Sequence, residues 1–185
     1  MQQLLYKIQV ENDENAFKTF YKENVFKLFQ FAFAFVRDKE LSEEIVNDVF
    51  LNLWKNRNKI SSIKNINVYL YVSVKNTALN YLKKNNSTKT INIDDLSSDH
   101  FHLTPDQEQI LITDELKKNI EQSINLLPPK CKLIFKMVKE DGLTNIEVAT
   151  ILGISYKTVT TQLTIALKKL EEILQPTLRE YSIKI

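Results

Sequence analysis

Residues 49–93 contain no aspartate or glutamate, but they are rich in lysines, aromatic residues and asparagines. Lysine and arginine attract phosphates whatever the base sequence, because binding releases condensed counterions. Aromatic rings can stack on unpaired bases, and asparagine amides can pair with base edges. We therefore predict that this stretch holds a nucleic acid with exposed bases, although a run of lysines can also be an ordinary solvated surface. Its basic and aromatic residues are Lys55, Arg57, Lys59, Lys64, Lys75, Lys83, Lys84, Lys89, Trp54, Tyr69, Tyr71 and Tyr81.

Part of this stretch has the pattern of a helix with one polar stripe. A helix from about residue 67 to residue 84 would be apolar over most of its circumference. Asparagine inside a helix costs about 0.5 kcal/mol relative to alanine, and contacts with a ligand could offset that cost. The stripe and the basic residues of the polar loop 55–67 are therefore predicted to contact nucleic acid. At about 100° per residue the stripe contains Tyr69, Ser73, Asn76, Asn80 and Lys83, and the loop contributes Arg57, Lys59 and Lys64.

The preceding helix is predicted to begin at Ser42, a suitable N-cap, and to bury one apolar face. Its opposite face combines acidic and amide residues with one large apolar side chain. This face could dock a protein through an apolar anchor, or it could simply contain one exposed leucine, which is common on protein surfaces. The buried face is Ile45, Val46, Val49, Phe50 and Leu53; the exposed face is Glu44, Asn47, Asp48, Leu51 and Lys55.

The composition predicts an all-α protein of two small domains. Among 185 residues there are only two glycines and four prolines, too few for the turns of a sheet. A long phenylalanine-rich helix is expected from about residue 16 to residue 36, with too many apolar positions for one narrow stripe. We predict domains at residues 1–84 and 106–185, with the polar, aperiodic residues 85–105 as a flexible linker.

The remaining sequence features predict a cytoplasmic protein with no cofactor. Cys131 is the single cysteine, so no intramolecular disulfide can form, and a reducing compartment fits. No secretory signal and no apolar segment approaching ~20 residues is present, so the chain is not expected to insert in a membrane. His100, His102 and Asp99 give only a weak case for a metal site.

Residues 142–174 have the spacing of a DNA-binding helix-turn-helix. Thr144 and Glu147 form a capping box, Gly153 suits the left-handed backbone of the turn, and Ser155 caps the second helix. The second helix is predicted to be the recognition helix, which enters the major groove of DNA. Its inward residues are Val159, Leu163, Ala166, Leu170 and Ile173; its outward residues are Lys157, Thr158, Thr161, Ile165 and Lys168, with Gln162 beside them.

The two halves together resemble a bacterial RNA polymerase sigma factor of the sigma-70 family. Residues 16–84 resemble region 2 of these proteins and residues 106–174 resemble region 4. The extracytoplasmic-function (ECF) group, which has only these two domains and a short linker, is the most similar. The segments that carry the resemblance are AFKTFYKENVFKLFQFA, LSEEIVNDVFLNLWKNR, VYLYVSVKNTALNYLKK and the block that begins LPPKCKLIFKMVKEDGLTNIEVATILG and continues ISYKTVTTQLTIALKKL.

This resemblance implies a role for each candidate surface. The face with Glu44, Asn47, Asp48 and Leu51 would dock on the clamp helices of core RNA polymerase. The loop 55–67 and the polar stripe would melt and read the promoter −10 element, and residues 157–168 would read the −35 element as duplex. An anti-sigma protein is a further expected partner. Family members often have arginines where this chain has Gln162, Ile165 and Leu167, so fewer phosphate contacts are expected from this helix.

Two other classes of protein could share some of these features. A stand-alone helix-turn-helix regulator would bind duplex DNA tightly without polymerase, but residues 16–84 contain no ligand-pocket or phosphorylation signature. An enzyme acting on nucleic acid would need clustered carboxylates or metal ligands near the basic surface, and residues 49–93 contain no Asp, Glu or His. We therefore predict no catalytic residues.

Overall fold

The computed structural model describes the backbone of residues 1–84 and 111–180 and the side chains of residues 1–84 and 118–175. Its described residues are helical and contain no strand, which confirms the all-α prediction. The chain divides into two compact units, Met1–Asn92 and Ile93–Ile185. The predicted linker 85–105 and the candidate metal ligands His100, His102 and Asp99 lie outside the described residues, and the limits 84 and 106 stay predictions.

Four α-helices and two short helices of other types form the described part of the first unit, residues 1–84. Helix α1 (Gln2–Tyr6) continues as a π-helix (Lys7–Glu11) and is followed by α2 (Glu14–Val36), α3 (Lys39–Lys55), a 3-10 helix (Arg57–Ser62) and α4 (Ile66–Lys84). The carboxylate of Asp13 caps α2 by accepting from the backbone N–H groups of Asn15 and Ala16. Arg37, with φ 55°, ends the helix in the left-handed conformation.

The long helix α2 packs against both α3 and α4, as its many phenylalanines predicted. The Phe50 ring of α3 lies edge-on to Phe20 at 6.1 Å and to Tyr21 at 4.8 Å. On the other side Phe31 lies edge-on to Tyr71 of α4, with ring centroids 4.8 Å apart. Edge-to-face aromatic pairs stabilise beyond their buried area, so these rings fix both neighbouring helices on α2.

Helix α3 begins earlier than the sequence analysis predicted. Asp38, and not Ser42, is the N-cap, because its carboxylate accepts from the backbone N–H of Leu41. Ser42 is buried inside the helix, and its hydroxyl donates to the carbonyl of Asp38. The predicted buried face is confirmed: each of Ile45, Val46, Val49, Phe50 and Leu53 is at most 3% exposed.

Four helices form the described part of the second unit: α5 (Leu111–Asn125), α6 (Pro129–Lys139), α7 (Asn145–Leu152) and α8 (Tyr156–Glu180). The predicted capping box is present, since Thr144 and Glu147 satisfy each other's backbone N–H groups. Gly153 has φ 72° at the turn between α7 and α8. Val159, Ala166 and Leu170 are buried as predicted, whereas Ile173 is 37% exposed because it lies at the edge of the inward face of α8. The predicted helix start at residues 104–107 lies outside the described residues.

Replacing Phe31 should test the aromatic packing of the first unit. Phe31→Ala leaves a cavity beside Phe35 and Tyr71, and we expect the free energy of unfolding to fall by about 3–5 kcal/mol. Phe33→Ala is the matched control, because Phe33 is only half-buried in the same helix. Chemical denaturation of both variants measures the difference, and equal losses would contradict this account of the core.

Candidate nucleic-acid and protein interfaces

Helix α4 exposes the polar stripe that the sequence predicted. Asn76, Asn80 and Lys83 are exposed, and Tyr69 and Ser73 are partly exposed. The opposite side of the helix is buried, with Leu70, Tyr71, Val74 and Ala78 at 1% exposure or less. The structure therefore brings the five stripe residues together on the outward side of a helix whose other side belongs to the core.

The segment before α4 is more ordered than the predicted polar loop. It contains the 3-10 helix Arg57–Ser62. The buried side chain of Ile60 packs this helix against the rest of the unit. Lys59 and Lys64 are exposed on either side of this anchor. Asn65 then starts α4 by accepting from the backbone N–H of Val68 at 3.1 Å. The two lysines thus precede the stripe in the chain.

Arg57 is the candidate DNA contact with the most intramolecular bonds. Its Nε donates to Oδ1 of Asn12 at 2.6 Å, and its Nη1 donates to the carbonyl of Trp54 at 2.9 Å. Its guanidinium carbon also lies 4.4 Å from the centre of the Trp54 ring, a cation–π distance. Arg57 therefore has a structural role that the sequence analysis missed, and its contact with DNA stays a prediction.

The outward face of α3 has the predicted composition, with two tyrosines at its sides. Leu51 is 53% exposed and lies among Glu44, Asn47 and Asp48 of the same face. Tyr21 of α2 donates its hydroxyl to Oδ1 of Asn47 at 2.9 Å, and Tyr81 of α4 donates to Oε1 of Glu44 at 2.5 Å. The bond to Glu44 is the main reason that the pKa of Tyr81 is raised, since it holds the phenol in its protonated form.

The recognition helix α8 exposes most of the residues predicted to face DNA. Lys157, Thr161, Ile165 and Lys168 are exposed. Thr158 is partly exposed, and its backbone N–H donates to the hydroxyl of the N-cap Ser155 at 3.0 Å. Tyr156, Thr160 and Thr164 of this helix are exposed as well, and the sequence analysis did not name them. A full helical-wheel count would have found Thr164, which lies about 20° from Lys157 at the side of the outward arc.

Gln162 lies at the edge of this arc and is partly buried. The Cys131 thiol of α6 donates to its Oε1 at 3.0 Å. Burial raises the pKa of Cys131, so the thiol keeps the proton that this bond needs at neutral pH. The bond limits the freedom of the Gln162 amide, and nothing in the local sequence indicated it.

The described residues contain no group of three or more His, Cys, Asp or Glu side chains that could hold a metal ion. In the described part of the chain, no helix combines the length and the apolar character needed to cross a membrane.

Comparison with known proteins identifies both units. The model of sigma-70 region 2 matches residues 20–88, and the model of sigma-70 region 4 matches residues 117–170. The RNA polymerase sigma-H factor of Pseudomonas aeruginosa is 22% identical over 186 residues, covering 97% of this chain and 96% of that protein.

Two solved structures have a similar fold. CnrH, solved in complex with the cytosolic domain of CnrY, gives a TM-score of 0.53 at 17% identity, covering 94% of this chain and 96% of that chain. The sigma factor RpoE of Bartonella quintana was solved with the anti-sigma factor NepR. It gives a TM-score of 0.53 at 19% identity, covering 85% of this chain and 98% of that chain.

The matched regions cover both helical units in the order of the family, and the chain belongs to the sigma-70 family of RNA polymerase sigma factors. Members of this family are transcription initiation factors and not enzymes. The matches to regions 2 and 4 confirm the sigma-70 family predicted from the sequence. The assignment to the ECF group stays a prediction.

Proposed function

We propose that this sigma factor binds core RNA polymerase, directs it to a promoter with a −10 and a −35 element, and helps to open the duplex. The observation that carries the proposal is the exposed stripe of α4, where amide and hydroxyl groups occupy the outward side of a helix packed into the core. Paired bases in a duplex offer this surface only their edges, whereas unpaired bases can insert between its side chains. The experiment is transcription by core polymerase with this protein on a promoter library.

The first unit is proposed to capture the melted strand of the −10 element. Asn76 and Asn80 can donate to and accept from base edges, and Tyr69 offers a ring for stacking, which is worth about 1–3 kcal/mol per base. Lys59, Lys64 and Lys83 supply the positive charge that attracts the phosphate backbone at both ends of the stripe.

The second unit is proposed to bind the −35 element as duplex through α8. Lys157 and Lys168 would contact phosphates, while Thr161, Gln162 and Ile165 would face base edges, Ile165 against a thymine methyl group. Thr158, near the N-terminal end of the helix, would contact DNA as well. The absence of arginines from residues 157–168 of this helix supports a modest affinity for the isolated element.

The outward face of α3 is proposed to dock on the polymerase clamp helices. Leu51 is the apolar anchor, and Glu44, Asn47 and Asp48 form the polar rim around it. The bonds from Tyr21 and Tyr81 restrain two rim side chains before the partner arrives, which lowers the entropy lost on binding. An anti-sigma protein is proposed as a further partner, because both similar structures were solved as complexes with partner proteins and RpoE's partner is an anti-sigma factor.

The competing function is a stand-alone helix-turn-helix regulator. It would use α8 in the same way but would bind its site tightly without polymerase and would need no strand opening. An electrophoretic mobility assay with and without core polymerase separates the two, since the sigma factor should form a specific complex only with polymerase.

Leu51→Glu should weaken docking on polymerase. The new charge enters an apolar contact on a face that already contains Glu44 and Asp48, and we expect a loss of about 2 kcal/mol in binding to core polymerase, measured by titration. Because Leu51 is exposed, circular dichroism should remain native. Leu126→Glu is the control, a leucine 68% exposed in the other unit. Unchanged affinity of the folded Leu51 variant would remove α3 from the docking surface.

Lys157→Ala and Lys168→Ala should each weaken binding to upstream duplex DNA regardless of its sequence. Each should also lower the slope of log affinity against log salt by about one unit, because one phosphate contact is lost. Lys118→Ala, an exposed lysine of α5, should leave the slope unchanged. A change of base preference at constant slope would show that the lysines face bases and not phosphates.

Asn76→Ala combined with Asn80→Ala should impair strand opening while polymerase binding and closed-complex formation remain intact. Permanganate reactivity of unpaired thymines should fall sharply, and a template with a pre-melted bubble should partly restore transcription. Asn15→Ala, another exposed asparagine, is the control. Normal opening by the double variant would mean that α4 does not hold the melted strand.

A further inference from the structure

The N-terminal helix, made of α1 and the π-helix that continues it, packs on the segment that precedes the polar stripe. This segment contains the 3-10 helix Arg57–Ser62. The match to sigma-70 region 2 begins at residue 20, so residues 1–13 lie outside it. Ile8 is fully buried and anchors the π-helix Lys7–Glu11 to the unit, and this π-helix lies against the 3-10 helix Arg57–Ser62. A π-helical turn is rare and often occurs at functional sites.

Gln9 bonds to the 3-10 helix through both ends of its amide. Its Nε2 donates to the backbone carbonyl of Asn58 at 3.0 Å and to Oγ of Ser61 at 2.9 Å. Its Oε1 accepts from the backbone N–H of Ser61 at 3.0 Å. One side chain thus satisfies a backbone acceptor and a backbone donor three residues apart, which defines the local backbone geometry of the segment.

A second contact joins the same two segments. Asn12 ends the π-helix with φ 54°, a left-handed conformation that asparagine tolerates better than most residues. Its Oδ1 accepts from Nε of Arg57 at 2.6 Å. The 3-10 helix is therefore held at its first residue by Asn12 and near its end by Gln9.

Both contacts leave the two lysines of the segment exposed. Lys59 lies between the two attachment points and is exposed, and Lys64 follows immediately before α4. The N-terminal helix therefore restrains the backbone without covering the two lysines. A restrained backbone presents these lysines at fixed positions, so less conformational entropy is lost when a strand binds.

We propose that Gln9 is a positioning residue for promoter opening, which holds residues 58–61 in the conformation that receives the unpaired strand. The inference rests on the proposed function of the stripe and its preceding loop. It extends the strand-capture machinery to residues outside the matched region 2. Because Gln9 and its partners lie near the surface, their bonds contribute little to the stability of the core, and a positioning role can be separated from a folding role.

The test compares Gln9→Ala with Gln3→Ala, an exposed glutamine of the same N-terminal helix, in the full-length protein bound to core polymerase. We expect unchanged holoenzyme assembly and thermal unfolding. Opening, measured by permanganate reactivity, should fall about tenfold for Gln9→Ala, equivalent to about 1.4 kcal/mol, and remain normal for Gln3→Ala. A random single-stranded oligonucleotide library selected by the holoenzyme should lose base enrichment at one or two positions, which a mere loss of folded protein would not cause.

A double-mutant cycle with Ser61→Ala shows whether Gln9 acts through the segment. If the Ser61 hydroxyl matters only as a partner of Gln9, then Ser61→Ala should have no further effect on opening in the Gln9→Ala background. Additive losses, or normal opening by Gln9→Ala, would overturn the proposal. The asparagine variants of α4 distinguish this failure from failure of the proposed function: if they open promoters normally as well, the strand-capture surface itself is wrong.

Discussion

The packing of α2 against α3 and α4 determines which surfaces this protein can offer to partners. Phe20 and Tyr21 contact Phe50 of α3, and Phe31 contacts Tyr71 of α4. Each neighbouring helix thus commits one side to the core, and only its other side remains outward. The proposed docking face of α3 and the stripe of α4 are these two remaining sides, so the aromatic core sets the position of both interfaces at once.

Local patterns in the sequence predicted the elements that depend on neighbours within one or two turns. The capping box of Thr144 and Glu147, the turn at Gly153 and the stripe of α4 all follow from residues close in the chain. The predicted start of α3 was wrong even though it depends only on nearby residues. Asp38 and Ser42 are both acceptable N-caps, and the sequence alone does not rank them. Helix α3 begins at the earlier of these N-caps, Asp38, because residues 39–41 can also adopt helical geometry.

Contacts between distant residues could not be predicted in this way. Gln9 and Ser61 are 52 positions apart, Tyr81 and Glu44 are 37 apart, and Cys131 and Gln162 are 31 apart. Each pair meets only after the helices have packed, and none follows from periodicity or spacing. These contacts orient side chains of the candidate interfaces, so the sequence predicted which residues are candidates while the structure shows how they are arranged.

The division of the chain into two compact units has a consequence for the recognition helix, whose residues 157–168 include lysines but no arginines. When two modules on one chain bind neighbouring sites, the second binding step is intramolecular and is governed by an effective concentration that depends on the tether. In the proposed function each unit can therefore bind weakly by itself, and occupancy of a promoter depends on both elements being present. Weak modules also release their sites readily, so occupancy of a promoter by both units together remains reversible.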